Sequence, residues 1–431
     1  MTGPRVPGRV AVLVAAAGAP WEAEALDRIE RGGPRLVLTK RCVDLTDLLA
    51  TASAGLASVA VVAPGLVGLD ADSVDHLRRS GLGLVLVGAP AELRGGEPDR
   101  LRRLGVEHVL TSEQLAGLAD VVAAAGADAA PGAPADTTGR PDPAPAGDPP
   151  APGRTVAVWG PAGAPGRTTL AVGLAAELAH AGHDVLLLDV DPYGGAVAQH
   201  LGVLDEVSGL LAAARSANSG LLDAERLVGL ARQVGEHLRV LTGLPRADRW
   251  TEVRPAAFAE LLEQASRLVP YVVLDTGFSL EADPGDPFGG TAPQRNDLTL
   301  AAVRRADELL VVGAADSVGL ARLARGLVEL RDLLPGVRPR VVVNRTRSTL
   351  GWGDREIRGM VEGFVTPADV HFVPDDRAAA DRALMAGRSL VEDGVSPLRS
   401  AVAEVARGLL GETPRPAARQ GLRRRRAGRA R

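Results

Sequence analysis

Short apolar runs alternate with amphipathic stretches along most of the chain. In its first part, strand-like runs lie at 9–15, 35–39, 58–63, 83–88 and 107–110. Helical periodicity occupies 21–31, 45–54 and 72–79, and a closing helix is predicted over 112–125. Five βα units in about 120 residues predict a doubly wound parallel sheet. The pattern resumes after residue 153. Runs at 156–159, 185–190, 272–274, 308–312, 340–343 and 370–373 are almost wholly apolar, as expected of strands buried on both faces. Helices are predicted over 167–181, 255–268, 318–334 and 355–364. This second α/β sheet has at least six strands, so the fold class is α/β with two doubly wound parallel-sheet domains.

Between the two patterns, residues 128–153 are rich in Pro, Ala, Gly and Asp and hold no large apolar side chain. Such a segment buries too little surface to offset its ordering entropy, which predicts a disordered linker. The expected division is a domain at 1–127, a linker at 128–153, a domain at 154–411 and an Arg-rich disordered tail at 412–431. The chain carries a net charge of −4, and residues 415–431 hold eight arginines and no acid, so residues 1–414 carry −12. Attraction to an anionic membrane surface or to nucleic acid is therefore local to the tail. The tail has one large apolar residue, Leu422, and no aromatic ring. It is thus neither an amphipathic membrane helix nor a base-stacking platform.

Cys42 is the single cysteine, which excludes an internal disulfide and a cysteine metal cluster. No apolar run reaches the ~20 residues of a membrane span. The expected setting is cytoplasmic, with membrane association at a pole or assembly site as an extension. Lys40 is the only lysine.

The chemistry concentrates in residues 159–179, WGPAGAPGRTTLAVGLAAELA. An apolar strand runs into Gly160, Gly163 and Gly166, then Arg167, Thr168, Thr169 and a long Ala/Leu helix. Glycines let backbone N–H groups turn inward around phosphate, and the helix N-terminus adds partial positive charge. A hydroxyl after the basic residue can ligate Mg²⁺. The phosphate cradle is thus expected at Gly163, Ala164, Pro165, Gly166, Arg167, Thr168 and Thr169. Two later strands end in acid: LLLDVDPYGG places Asp189 and Asp191, and YVVLD places Asp275. These carboxylates flank the loop in a P-loop fold, so Thr168, Asp191 and Asp275 are the expected Mg²⁺ set. Asp191 and Asp275 are also the candidate catalytic residues.

On these motifs, residues 155–411 resemble the MinD/ParA group of P-loop ATPases. DVDPYGG is similar to that group's D-x-D motif and VVLDTG to its Walker B. VVVNR (341–345) and FVPDD (372–376) are similar to the late strand-end motifs that hold adenine. The resemblance implies ATP and Mg²⁺ as cofactors and a nucleotide-dependent homodimer. It also implies that Asn344 bonds the base beside Arg345, with Pro374 and Asp375 lining the ring.

The first domain resembles a response-regulator receiver in order and length, without the receiver's acidic cluster and phosphoacceptor. A receiver-like domain before a MinD-like ATPase resembles the TadZ/CpaE-type proteins of Flp (Tad) pilus assembly. That resemblance implies a switch that positions or assembles a pilus or secretion apparatus, with the machinery's proteins as partners. The alternatives are a chromosome-partitioning or septum-site ATPase, and a scaffold with a decayed nucleotide site.

Two departures bear on turnover. The group's signature lysine is Ala162 here, and its second loop lysine is Arg167. A planar guanidinium presents its charge differently from a compact ammonium, so a weak ATPase, hydrolysing slowly if at all, is expected. Arg154, Arg295 and Arg345 are the candidate compensating cations. The acidic stretch 281–297 is a candidate switch segment near the nucleotide.

Overall fold

The computed structural model describes residues 9–31, 36–94, 97–129, 152–203, 207–282 and 294–411. Most of the expected linker, the whole expected tail and residues 283–293 of the acidic stretch lie outside these residues.

In the first domain five strands form one sheet: β1 (Val10–Ala15), β2 (Leu36–Arg41), β3 (Val59–Val62), β4 (Gly83–Gly88) and β5 (His108–Thr111). Their order is β2-β1-β3-β4-β5 and every pairing is parallel. This is one of the common doubly wound orders. The strands are apolar because helices cover both faces, and each face has its own core. The closing helix differs from expectation. Residues Ser112–Gly117 form a 3₁₀ turn, and the α-helix runs Leu118–Asp128. The junction falls at Gly117, a weak helix former.

The second domain has eight strands: β6 (Arg154–Trp159), β7 (Val185–Val190), β8 (Arg232–Gly235), β9 (Leu238–Leu241), β10 (Tyr271–Thr276), β11 (Glu308–Ala314), β12 (Arg340–Thr346) and β13 (Asp369–Pro374). The order is β13-β12-β11-β6-β10-β7-β9-β8. The sheet is parallel except at its edge, where β8 runs antiparallel to β9. That edge hairpin adds to the expected sheet of at least six parallel strands. A four-residue hairpin strand with three exposed residues, one of them a glycine, carries no long apolar run to betray it.

Register fixes where the chemistry sits. Asp275 on β10 pairs with Asp189 on β7 and with Val158 on β6. The carboxyl end of β6, its loop and both acids therefore meet at one end of the sheet. Helix Arg167–His180 leaves this end buried from Leu170 to Leu178 without interruption. Its Gly173 lies against Val402 and Leu390, and Glu177 pairs with Arg399 at 2.8 Å. Both contacts come from late in the chain, and the helix Pro397–Leu410 buries Leu398, Val402, Val405 and Leu409 there. Each such side chain is worth roughly 1.5–3 kcal/mol, so this helix is a main support of the loop.

The two domains touch. Asn218 Nδ2 donates to Asp70 at 3.0 Å, and Arg254 pairs with Asp72 at 2.9 Å. Arg100 and Arg103 donate to the carbonyls of Ser219 and Gly220, each at 2.7 Å.

Candidate functional site

The loop after β6 is shaped by close approaches. Gly163 and Gly166 have φ of +74° and +87°, a region that side chains rarely adopt. A Cβ on Gly160 would lie 2.4 Å from the Val312 carbonyl oxygen of β11, and one on Gly166 2.4 Å from Asn344 Nδ2. Gly166 caps the helix Arg167–His180. Thr168 and Thr169 thus lie in the first turn of a 14-residue helix, at its electropositive end.

Asn344 reaches the loop from β12. Its Nδ2 donates to the Pro165 carbonyl at 2.9 Å, and its Oδ1 accepts from the Arg345 N–H at 2.9 Å. Arg345 has a φ of +59°, a strained value for an arginine, at the point where β12 turns away. Asn344, Arg345, Pro374 and Asp375 line one cavity of about 310 Å³ together with Gly166 and Thr169. The expected base-contacting residues are therefore grouped beside the loop. Asn344 also has a positioning task that sequence reasoning missed, because the amide holds Pro165.

Three carboxylates converge under the loop. Asp275 is 1% exposed, and neither of its oxygens has a hydrogen-bond partner. Burial first, and Asp189 next, push its carboxyl well above the usual range, with Thr168 and Arg167 opposing. Asp189 is equally buried, and burial raises it to about 7. It accepts the N–H groups of Val197 (3.1 Å) and Asp191 (3.3 Å), and side chains on Gly195 or Gly243 would collide with it. Asp189 is thus a hub for the turn 191–197. Asp191 is raised by burial, while its own turn (Tyr193 N–H, 2.9 Å) and the charges of Arg167 and Arg295 oppose the rise.

Arg167 folds back on the loop. Its Nη1 donates to the Gly160 carbonyl at 2.9 Å, and its Nη2 lies 3.7 Å from Asp191. Of the candidate compensating cations, Arg345 lines the cavity. Arg295 lies 4.6 Å over the Tyr193 ring and donates to the Ala247 carbonyl. Arg154 does not belong to the site. It opens β6 at the opposite end of the sheet and donates to the Leu409 carbonyl. Proximity in sequence to the loop is not proximity in space, because a buried strand separates them.

The cradle is shaped for phosphate. Its glycines leave no room for side chains, and a helix N-terminus points into it. Thr168 and Asp275, with Asp191 beside Arg167, are the oxygen-bearing residues that would hold Mg²⁺; among the described residues, no cluster of three or more His, Cys, Asp or Glu forms a metal site by itself.

Residues 156–270 match the family described as the CobQ/CobB/MinD/ParA nucleotide binding domain. The chain is 32% identical over 190 residues to the chromosome-partitioning ATPase Soj of Thermus thermophilus, a match that covers 44% of this chain and 66% of Soj, just under two thirds of that relative's length. Among solved structures it is similar to a ParA family ATPase from Chlorobium tepidum (18% identity, TM-score 0.49, covering 59% of this chain and 98% of that one). It is also similar to the cell division ATPase MinD of Pyrococcus furiosus (19% identity, TM-score 0.47, covering 60% and 99%). With that match, the strand order and the glycine loop, the second domain has a nucleotide-binding α/β fold similar to that of the MinD/ParA group. Among the described residues, no helix is long and apolar enough to cross a membrane.

Proposed function

We propose that the chain is an ATP-dependent molecular switch of the partitioning and positioning class, dimerising with nucleotide and hydrolysing it slowly. The observation that carries this is the unpartnered Asp275 carboxylate beneath a glycine cradle. A buried carboxyl with no partner is costly to keep, charged or protonated, and a P-loop site gives it a use.

The loop from Gly163 to Thr169 would enclose the phosphates through its N–H groups. Thr168, Asp191 and Asp275 would hold Mg²⁺, which supplies charge neutralisation at the β- and γ-phosphate oxygens when bound. Asn344 and Arg345, with Pro374 and Asp375, would bound the base. Arg167 restrains the loop and Asp191 rather than presenting a free charge, which supports slow turnover. Both candidate catalytic residues, Asp191 and Asp275, would act by placing the metal and attacking water.

The comparison with a partitioning ATPase favours cargo or chromosome positioning. A second reading, assembly of a Flp-type pilus or related secretion apparatus, draws on one observation: a five-stranded domain of receiver-like order precedes the nucleotide domain. In that reading the first domain is a pseudo-receiver that serves as a docking module.

Calorimetric titration of the full chain with a non-hydrolysable ATP analogue, with and without Mg²⁺, tests the switch. Binding that requires Mg²⁺ and weakens in Asp275→Ala supports it. A folded chain that binds nothing at millimolar nucleotide overturns it. Duplex DNA binding that appears only with the analogue separates the partitioning reading from the pilus reading.

A further inference from the structure

The helix Ser317–Leu333 follows β11, and β11 lies beside β6. The helix therefore passes next to the phosphate loop. Gly326 sets how close it comes, since a Cβ there would lie 3.1 Å from Pro161 Cβ and from Trp159 Cη2. Arg322 stands one turn earlier on the same face. Its guanidinium rests against Gly163, where an added Cβ would be 1.9 Å from Nη1 and 3.0 Å from Cζ. Arg322 is exposed and, among the described residues, has neither a hydrogen bond nor an ion pair. Arg167, by contrast, is spent on Gly160 and Asp191. Arg325, three residues further on, instead bonds its own helix at the Ala321 carbonyl.

We infer that Arg322 is a free cation beside the phosphate loop and contacts the terminal phosphate of a nucleoside triphosphate. This rests on the nucleotide reading above. The charge that Ala162 does not provide from within the loop comes from the neighbouring helix instead. A guanidinium pairs with phosphate oxygens in a bidentate manner. Loop glycine and guanidinium already touch, so little reorganisation precedes the contact.

The test is calorimetry of the full chain with Mg²⁺ and either the non-hydrolysable ATP analogue or ADP. Arg322→Ala is expected to weaken the triphosphate at least tenfold and ADP less than threefold. Arg322→Lys recovers part of the difference, and Arg325→Ala matches the parent chain for both ligands. Equal losses for both nucleotides would mean that Arg322 only braces the loop, and no loss would mean that it touches no phosphate; either overturns the inference. A parent chain that binds neither nucleotide overturns the nucleotide reading itself, before Arg322 is at issue. A melting curve for each variant separates these results from misfolding.

Discussion

Replacing Asp275 with asparagine keeps the side chain's shape and removes its charge. The carboxyl group is 1% exposed and has no hydrogen-bond partner, and its neighbour in register, on β7, is Asp189. Keeping an unpaired carboxyl buried near neutral pH, where it must hold a proton that the unfolded chain gives up, costs up to several kcal/mol. An asparagine there still has amide groups to satisfy, at about 1–3 kcal/mol. The difference leaves a net gain of about 2 kcal/mol for Asp275→Asn in the nucleotide-free chain, which raises the melting temperature by about 4–8 °C at this size. The pH dependence has a definite sign. The folded state holds Asp275 above the ordinary carboxylate range, so it keeps a proton that the unfolded chain has released. The parent chain therefore loses stability as pH rises from the ordinary range through the raised value. The advantage of Asp275→Asn is small near pH 4 and grows toward neutrality. Calorimetric melting in chelator, from pH 4 to 8, measures it. Adding Mg²⁺ and the ATP analogue is expected to reverse the ranking, because ligand stabilises only the chain that binds it. A variant that melts below the parent chain at pH 7.5 without ligand would refute the reasoning.

Two other substitutions probe separate parts of the molecule. Gly166→Ala combines a φ of +87° with a collision at Asn344, whereas Gly182→Ala has a φ of +89° and nothing within 4 Å. Both pay about 1–2 kcal/mol of backbone strain, and only Gly166→Ala is expected to lower nucleotide affinity tenfold or more; equal affinities would show that Asn344 does not hold the loop. Burial between the domains raises Asp72 to about 6, with Arg254 opposing the rise. The contribution of this contact is full below about pH 4 and is lost as pH rises through 6. Asp72→Asn should melt with the parent chain at pH 4.5 and above it at pH 7.5, and a lower melting point at pH 7.5 would show that the ion pair outweighs its desolvation.

Much of this arrangement is written locally. Val185–Val190 and Tyr271–Thr276 are legible because strands buried on both faces need unbroken apolar runs. The loop is legible because close backbone turns need glycine at fixed places. Other features depend on strand order, which no local pattern carries. Arg322 meets Gly163 only because β11 adjoins β6, and the two residues are far apart in sequence. Arg154 shows the converse, since it adjoins the loop strand in sequence yet sits at the strand's other end. Asp189 and Asp191 look alike in the motif. The closeness of Gly195 and Gly243 sets them apart by sealing Asp189 from solvent.

The position of β6 shapes how the chain comes to be folded during synthesis. It is the first strand of its sheet to be made, yet it lies in the middle, between β10 at 271–276 and β11 at 308–314. The helix behind its loop is sealed last, by Pro397–Leu410. The first domain can close on itself as soon as residue 128 clears the ribosome, because its pairings are all internal. The nucleotide domain must wait with the buried stretch Leu170–Leu178 of its loop helix incompletely covered until more than two hundred further residues have emerged. During that interval its nascent segment is a client for holding chaperones. Truncations that remove Pro397–Leu410 are expected to be degraded rather than to yield a shorter working switch.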